Sequence, residues 1–274
     1  MRKGNRGKKR PIVAQTEVRE AGIKPSGIKA FVATPAYDGK VDTDFAVALA
    51  ETAQQAAVVG IEVVAAVMGN GAFIELARNT FVQQFLKTDC THLFFIDADL
   101  RWESRAFIGL LASGYPVAAG VYRRRQEPES YPVQYVEDSG GLEIVNGGWI
   151  PCSRVPTGFL CIRRDVIERM VQKCHWWSVA GQEPVPRLFY TREDTMEEGW
   201  APGGDLRSFT GEDFAFCDDY REQFDQPIYV WPDFDFTHGG YECNWHEFIN
   251  RTIDKQEKAE MAEAYFGPRL DEVA

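Results

Sequence analysis

The chain has no run of about 18 consecutive apolar residues, so no segment is expected to span a bilayer. Its basic opening, MRKGNRGKKRP, is followed by polar IVAQTEVREAG rather than by an apolar stretch. No secretory signal is expected from that pattern, and the protein is read as cytoplasmic. Cysteine is sparse: six residues, without a CxxC pair or a dense framework, read as reduced core thiols rather than a disulfide scaffold. The one set that raises zinc is Cys217, His238, Cys243 and His246, and its spacing fits no familiar finger. No internal repeat is present, which excludes a solenoid. Excess positive charge is also missing. The formal net charge is −11 even though six Lys and Arg lie in the first ten residues. So acidic a body argues against broad electrostatic binding of nucleic acid. A local polyanion contact stays open at the basic tail and at Arg123-Arg124-Arg125, although a tail of this kind is ordinarily a disordered solubilising segment.

What is present is alternation. IKAFVAT (28–34), IEVVAAVM (61–68), THLFFID (91–97) and residues 116–122 are apolar runs of strand length. Helical patterns over 42–59, 73–87 and 103–113 separate them. This order predicts an α/β fold with a mostly parallel central sheet and helices on both faces. Ligands of such sheets bind at the carboxyl ends of the strands, where Thr34-Pro35, Gly69 and Asp97 fall. In the second half, YPVQYVE and LEIVNGGWI suggest a small β-ribbon. Residues 164–175 and 212–224 read as helices, 228–232 as a strand, and 245–265 as a C-terminal amphipathic helix. Residues 178–210, rich in Pro and Gly, read as a long loop of the functional or mobile kind. The chain divides into a basic, disordered tail (1–26), an α/β domain (27–244) whose halves meet at residues 122–123, and a C-terminal helix and tail (245–274).

The sharpest chemical feature is Phe94-Phe95-Ile96-Asp97-Ala98-Asp99, a buried strand leading into two carboxylates spaced i, i+2. Carboxylates are costly at the end of an apolar strand without a cation or donors. Oxygen ligands of this kind suit Mg²⁺ or Mn²⁺, which can bridge a diphosphate and neutralise its charge as it leaves. The plain alternative is a strand-to-loop exit, where Asp is common. Gly158, in Pro156-Thr157-Gly158-Phe159, permits close approach of backbone to a ligand, though an ordinary turn explains it nearly as well. Trp149, Trp176 and Trp177 offer stacking surfaces for an acceptor ring, against a core role for each.

FVATPAYDG, ELARN, LFFIDADL, VAAGVYRRR, VPTGFLCIRRDVIERM, GEDFAFC and THGG, in that order, resemble the GT-A nucleotide-sugar glycosyltransferases, among them soluble phage-type enzymes. The resemblance runs over roughly residues 28–240. It implies a GT-A, Rossmann-like fold and transfer of a sugar to an acceptor hydroxyl, with inversion as the simplest chemistry. It implies a UDP- or GDP-sugar donor and Mn²⁺ or Mg²⁺ as cofactor, and makes 27–244 a catalytic domain with a nucleotide-binding half (27–122) and an acceptor half (123–244). On the donor side it implies Thr34, Pro35, Tyr37 and Asp38 around the nucleoside, Arg78 and Asn79 near the nucleotide or the acidic loop, and Asp97 on ribose or sugar. Asp97, Asp99 and His238 would form the metal ligands, with Asp99 the direct one. Asp213 would be the general base and Glu212 the runner-up, although acids in a first helical turn are ordinarily caps. Arg123, Arg124, Thr157, Gly158 and Trp177 would face the acceptor. Without an anchor, stem or lectin module in the sequence, a cytosolic acceptor is expected, in a host's cytoplasm if the protein is viral. A hydroxylated base in DNA leads, with a cytosolic glycan, lipid precursor or protein behind it.

Two other classes compete. A nucleotidyltransferase shares the sheet and the metal, but it calls for a Gly-rich basic loop after the first strand, and FVATPAYDGK lacks that composition. A non-catalytic sugar- or nucleotide-binding module would be indifferent to loss of the acceptor-side acid. The sugar, the base of the nucleotide and the oligomeric state are not fixed by the sequence.

Overall fold

The computed structural model describes residues 27–69, 73–136, 144, 145, 148–181, 183–195 and 207–252. The basic tail, the centre of the expected β-ribbon and the chain after residue 252 lie outside the described residues. The first half follows the expected alternation: β1 (Lys29–Ala36), α1 (Thr43–Val58), β2 (Glu62–Gly69), α2 (Ile74–Leu86), β3 (His92–Ile96), a short β4 (Leu100–Trp102), α3 (Ser104–Ala112) and β5 (Val117–Ala119). The second half adds β6 (Gln134–Tyr135), β7 (Ile150–Arg154), β8 (Phe159–Arg163), α4 (Arg164–Val171), β9 (Trp176–Trp177), β10 (Val185–Pro186), β11 (Arg192–Thr195) and β12 (Arg207–Thr210). It ends with α5 (Glu212–Phe224), β13 (Ile228–Val230), β14 (Asp235–His238), β15 (Tyr241–Asn244) and helical residues 245–252.

The central sheet has eight strands in the order β2-β1-β3-β8-β5-β13-β7-β6. Only β8 and β7 run against the other six, so the sheet is mostly parallel in strand direction. The sequence places β5 next after β3, but β8 intervenes, antiparallel to both neighbours. FLCIR is buried on both faces, as a central strand requires whichever way it points, so its composition does not reveal its direction.

Period-two alternation divides the core into two layers. Phe31, Ala33, Leu93, Phe95, Leu160 and Ile162 face Phe81, Val82 and Phe85 of α2, together with α4 and α5. Ala30, Val32, Phe94, Ile96, Phe159 and Cys161 face Phe45, Ala48 and Ala56 of α1, Phe107 and Leu110 of α3, and a second small sheet. Phe94 sits between Phe107 and Phe159, with ring centroids 4.6 and 4.9 Å away. Burial of each such ring stabilises the fold by roughly 1.5–3 kcal/mol. α1 stops at Gly60, whose φ of +83° lets the backbone close onto Ala57 and turn into β2.

Three expectations are adjusted. Among the described residues the ribbon pairs β6, within YPVQYVE, with β7, which begins at the last residue of LEIVNGGWI, with Gln134 opposite Arg154 and Tyr135 opposite Cys152. The described part of the expected loop over 178–210 instead holds β10, paired with β9 just before it, and the antiparallel pair β11 and β12. Prolines hid the first of these: Pro186 sits at the end of an edge strand, where no ladder donor is needed. Cys217 and Cys243 belong to opposite core layers, so they do not share a zinc site.

Candidate active site

The second small sheet organises the site. β4 emerges directly after Asp97-Ala98-Asp99 and pairs antiparallel with β14, placing His238 opposite Leu100. Each residue of the acidic loop is tied to a different segment. Asp97 N–H donates to the Gly158 carbonyl (2.9 Å), the Ala98 carbonyl accepts from Asp42 N–H (2.9 Å), and the Asp99 carbonyl accepts from Gly239 N–H (3.1 Å). The loop is therefore held from three sides before any ligand arrives.

A cleft of about 550 Å³ opens over it, lined by Pro35, Tyr37, Asp38, Lys40, Val41, Asp42, Ile74, Arg78, Asp97, Ala98, Asp99 and Arg125. Of the expected donor residues, Pro35, Tyr37, Asp38, Arg78, Asp97 and Asp99 take part. Tyr37 is 78% exposed at the mouth, an aromatic face with little to pack on. Thr34 is fully buried and its hydroxyl has no partner, so it lies beneath the cleft. Asn79 is turned away. Its Oδ1 accepts from Leu188 and Phe189 N–H (2.9 Å each), and its Nδ2 donates to the Phe189 carbonyl (2.7 Å). Adjacent helical residues point about 100° apart, so Arg78 and Asn79 do not both face one cleft.

Arg78 is 5% exposed and bridges two acids: its guanidinium contacts Glu212 and reaches Asp97 Oδ1 at 3.4 Å. Burial works against its charge, yet Asp97 and Glu212 outweigh that and strengthen its hold on the proton. Burial pushes the Glu212 carboxyl up, opposed by Arg78. Asp97 Oδ2 accepts from the Tyr122 hydroxyl (3.1 Å), which itself accepts from Gly158 N–H (3.0 Å). A Cβ on Gly158 would lie 2.1 Å from that hydroxyl and 2.2 Å from Asp97 Oδ2, so close backbone approach is what this glycine provides.

Asp99 Oδ2 meets two cationic groups, Arg125 Nη1 at 2.7 Å and His238 Nε2 at 3.5 Å. His238 Nδ1 lies 2.8 Å from the Arg123 carbonyl, an acceptor, so Nδ1 carries hydrogen and Nε2 is aimed at Asp99. Burial alone would lower the His238 pKa, but Asp99 and the Arg123 carbonyl raise it above the ordinary value. Burial likewise opposes ionisation of Asp99, but His238 and Arg125 hold it below the usual carboxylate range. Asp213 is close enough to act on Arg78, Tyr122 and Glu212. Four carboxylates (Asp97, Asp99, Glu212 and Asp213) thus gather around two guanidiniums, and the local excess is negative.

Among the described residues, no three His, Cys, Asp or Glu side chains converge closely enough to hold a metal unaided. Asp99 and His238 come together; Asp97, expected as their companion, faces Tyr122 and Arg78 instead. The mixed O/N pair fits Mn²⁺, or Mg²⁺ less well, provided phosphate oxygens and water complete the shell.

Of the residues expected to face an acceptor, Thr157 and Gly158 are buried behind Asp97, and the Thr157 hydroxyl has no partner among the described residues. Arg123 is not free to bind phosphate: its guanidinium donates to the Gln126 carbonyl and Glu127, and stacks on Tyr241. Arg124 is exposed and outside the cleft. Trp177 sits in the β9–β10 hairpin, which is fastened to the later turns of α2 by Gln83 and Lys87, about 8 and 14 Å along the helix from Arg78. Trp149 packs on Tyr115 and Trp231 in the core, and Trp176 is half exposed beside Trp177. Arg125, of the Arg123-Arg124-Arg125 cluster left open for a polyanion contact, lines the cleft, and the residues missed from the sequence are Tyr122, Lys40 and Asp42. The last two had a signal, since they share the loop of Asp38. No helix among the described residues is long and apolar enough to cross a membrane.

No protein-family model and no curated protein sequence matches the chain. Among solved structures it is similar to GalNAc-T7, crystallised with UDP, GalNAc and Mn²⁺, at 9% identity and a TM-score of 0.40, over 77% of this chain and 43% of that one. The chain spans less than half the length of that protein.

Proposed function

We propose that the chain is a divalent-metal-dependent glycosyltransferase that moves a sugar from a nucleotide-sugar donor to an acceptor hydroxyl. The observation that carries this reading is the approach of His238 Nε2 to Asp99 Oδ2 at the carboxyl end of β3, two residues 139 positions apart brought together by pairing of β14 with β4. A divalent cation bound there would offset charge developing on the leaving diphosphate. Pro35, Tyr37 and Asp38 would hold the nucleoside across the cleft mouth, and Arg78 would fix Asp97 toward ribose or sugar.

Asp213 is the better base. Glu212 is tied to Arg78, whereas among the described residues Asp213 has only its neighbour's N–H on Oδ1 (2.8 Å), leaving Oδ2 for an acceptor proton. The acceptor oxygen would form its bond to the anomeric carbon as the carbon–diphosphate oxygen bond breaks, with the proton passing to Asp213 and inversion at the carbon. The acceptor class proposed first is a hydroxylated base in DNA, on the strength of the basic tail and the exposed Arg124.

Thermal-shift measurements with UDP- and GDP-sugars, with and without Mn²⁺, test the donor half. A ligand at about 100 times its Kd adds roughly 2.7 kcal/mol of stability. A metal-dependent shift that Asp99→Asn abolishes is expected; stabilisation indifferent to both metal and Asp99 would refute the site. Release of nucleotide with hydroxymethylated DNA against simple sugars then ranks the acceptors. Asp213→Asn should keep donor binding and lose turnover, and an unchanged rate would remove Asp213 as base.

A further inference from the structure

We infer that Arg125 is an exchangeable counter-ion of the cation site: it competes with the cation for Asp99 Oδ2, yields that oxygen to the metal and turns to the donor's diphosphate. The inference rests on the cation site proposed above.

Three observations point to exchange rather than to a permanent ion pair. The first is geometric competition for one atom. Arg125 Nη1 lies 2.7 Å from Asp99 Oδ2, the same oxygen that His238 Nε2 faces. A hard divalent cation needs that oxygen at about 2.1 Å, and a guanidinium hydrogen-bonded to it would then repel the incoming charge. The second is freedom to move. Arg125 is more than half exposed while Asp99 is three-quarters covered, so the pair joins a fixed acid to a mobile base. Asp99 is the one carboxylate that Arg125 meets among the described residues. The third is a route for the side chain. Its stem crosses Gly239, where a Cβ would lie 2.6 Å from Arg125 Cδ, and Gly239 itself adopts φ +54°. The crossing keeps the guanidinium inside the cleft, on the lining it shares with Tyr37, Lys40 and Arg78. Of the three consecutive arginines, Arg123 is anchored and Arg124 lies outside the cleft, so Arg125 alone has this choice of partners.

An exchangeable counter-ion leaves a signature of opposite signs. Removing it should make metal bind more tightly to the free protein, because nothing has to be displaced. The same change should make a diphosphate bind more weakly once metal is present. A residue that merely supports the fold would move both affinities in one direction.

The experiment compares wild type with Arg125→Gln and Arg125→Lys, each first checked for an unchanged melting curve. MnCl2 alone is titrated by electron paramagnetic resonance of the free aqua ion. UDP and GDP are then titrated calorimetrically at saturating Mn²⁺, and the tighter-binding nucleotide is used. Arg125→Gln is expected to bind Mn²⁺ about fivefold more tightly, the size of a half-exposed ion pair. Its nucleotide affinity should fall about tenfold, as for a lost charge-assisted contact to phosphate. Arg125→Lys should lie between the two on both axes. Mn²⁺ affinity unchanged or weakened in Arg125→Gln overturns the exchange. If Asp99→Asn still abolishes Mn²⁺ binding in that case, the cation site stands and only the role of Arg125 falls. If wild type and Arg125→Gln both bind no Mn²⁺, the cation site fails and takes the inference with it.

Discussion

Gly158→Ala is the most searching test of how the acidic loop is built. Gly158 lies in a closed ring: its N–H donates to the Tyr122 hydroxyl, that hydroxyl donates to Asp97 Oδ2, and Asp97 N–H donates back to the Gly158 carbonyl. The backbone of Gly158 is not in the left-handed region, so conformational strain is no part of the expected cost. The cost is collision. An added methyl would sit 2.1 Å from one oxygen and 2.2 Å from another, and Tyr122 and Gly158 are both buried. Forced repacking of a tight interior costs typically 1–3 kcal/mol, and each buried hydrogen-bonding group left unpaired adds about 1–3. Against this, alanine reduces the freedom of the unfolded chain and returns about 0.4–1 kcal/mol. With one bond of the ring broken, the net is a loss of about 3 kcal/mol, or roughly 6–12 °C in Tm for a chain of this size. Urea unfolding of Gly158→Ala, Tyr122→Phe and the double variant reads both the loss and its origin. Removing the hydroxyl should relieve one of the two collisions, so the double variant should be less destabilised than the sum of the singles. Gly158→Ala within about 0.5 kcal/mol of wild type, or strict additivity with Tyr122→Phe, would refute the ring.

Asn79→Ala leaves two N–H groups and one carbonyl of Leu188–Phe189 without partners; about 3 kcal/mol should be lost with nucleotide-sugar affinity unchanged, whereas selective loss of donor binding would restore a ligand role to Asn79. Arg78→Met strands Asp97 and Glu212, and a cost of about 3–5 kcal/mol in urea unfolding is expected, with a smaller cost in Arg78→Met combined with Glu212→Gln. His92 is driven down to about 4, by burial first and then by Arg163, so between its ordinary value of 6.5 and about 4 the unfolded chain binds a proton that the folded chain refuses. Stability should therefore fall as pH drops through that window, by up to about 3 kcal/mol, and His92→Gln should flatten the fall in denaturant midpoint against pH; an unaltered pH slope would exclude His92 as its source.

The first half of the fold was legible because its signals are local. Apolar runs of five to eight residues alternate with amphipathic helices, and β1, β2, β3, α1 and α2 fall where periodicity puts them. The insertion of β8 between β3 and β5 was not legible, since FLCIR carries no mark of direction. The site was legible where type and place coincide: Asp97 and Asp99 at a strand end, and His238 after a late acidic strand. Their pairing was not, because a three-residue strand such as LRW gives no periodic signal and its partner is more than 130 residues away. Three adjacent arginines look alike in sequence, and the fold distinguishes them only by what surrounds each guanidinium. Residues 75, 79, 83 and 87 did carry an unread signal: polar groups four apart form one helix stripe.

That stripe separates two roles within α2. Glu75, Asn79, Gln83 and Lys87 together grip the segment 183–191, through the Thr191 N–H, the backbone of Leu188–Phe189, the Pro184 carbonyl and Glu183. Arg78, one step off the stripe, reaches Asp97 and Glu212. The helix thereby joins the segment leading into β11 to the acidic loop, and Arg78 joins that loop to the first turn of α5. A shift of α2 along its own axis would therefore move the partner of Asp97 and of Glu212 at once. Since Asn79 accepts two hydrogen bonds and donates one while Arg78 holds two acids, the grip on 183–191 is the stiffer link, and the Arg78 bridge is where movement between α2 and α5 would be taken up.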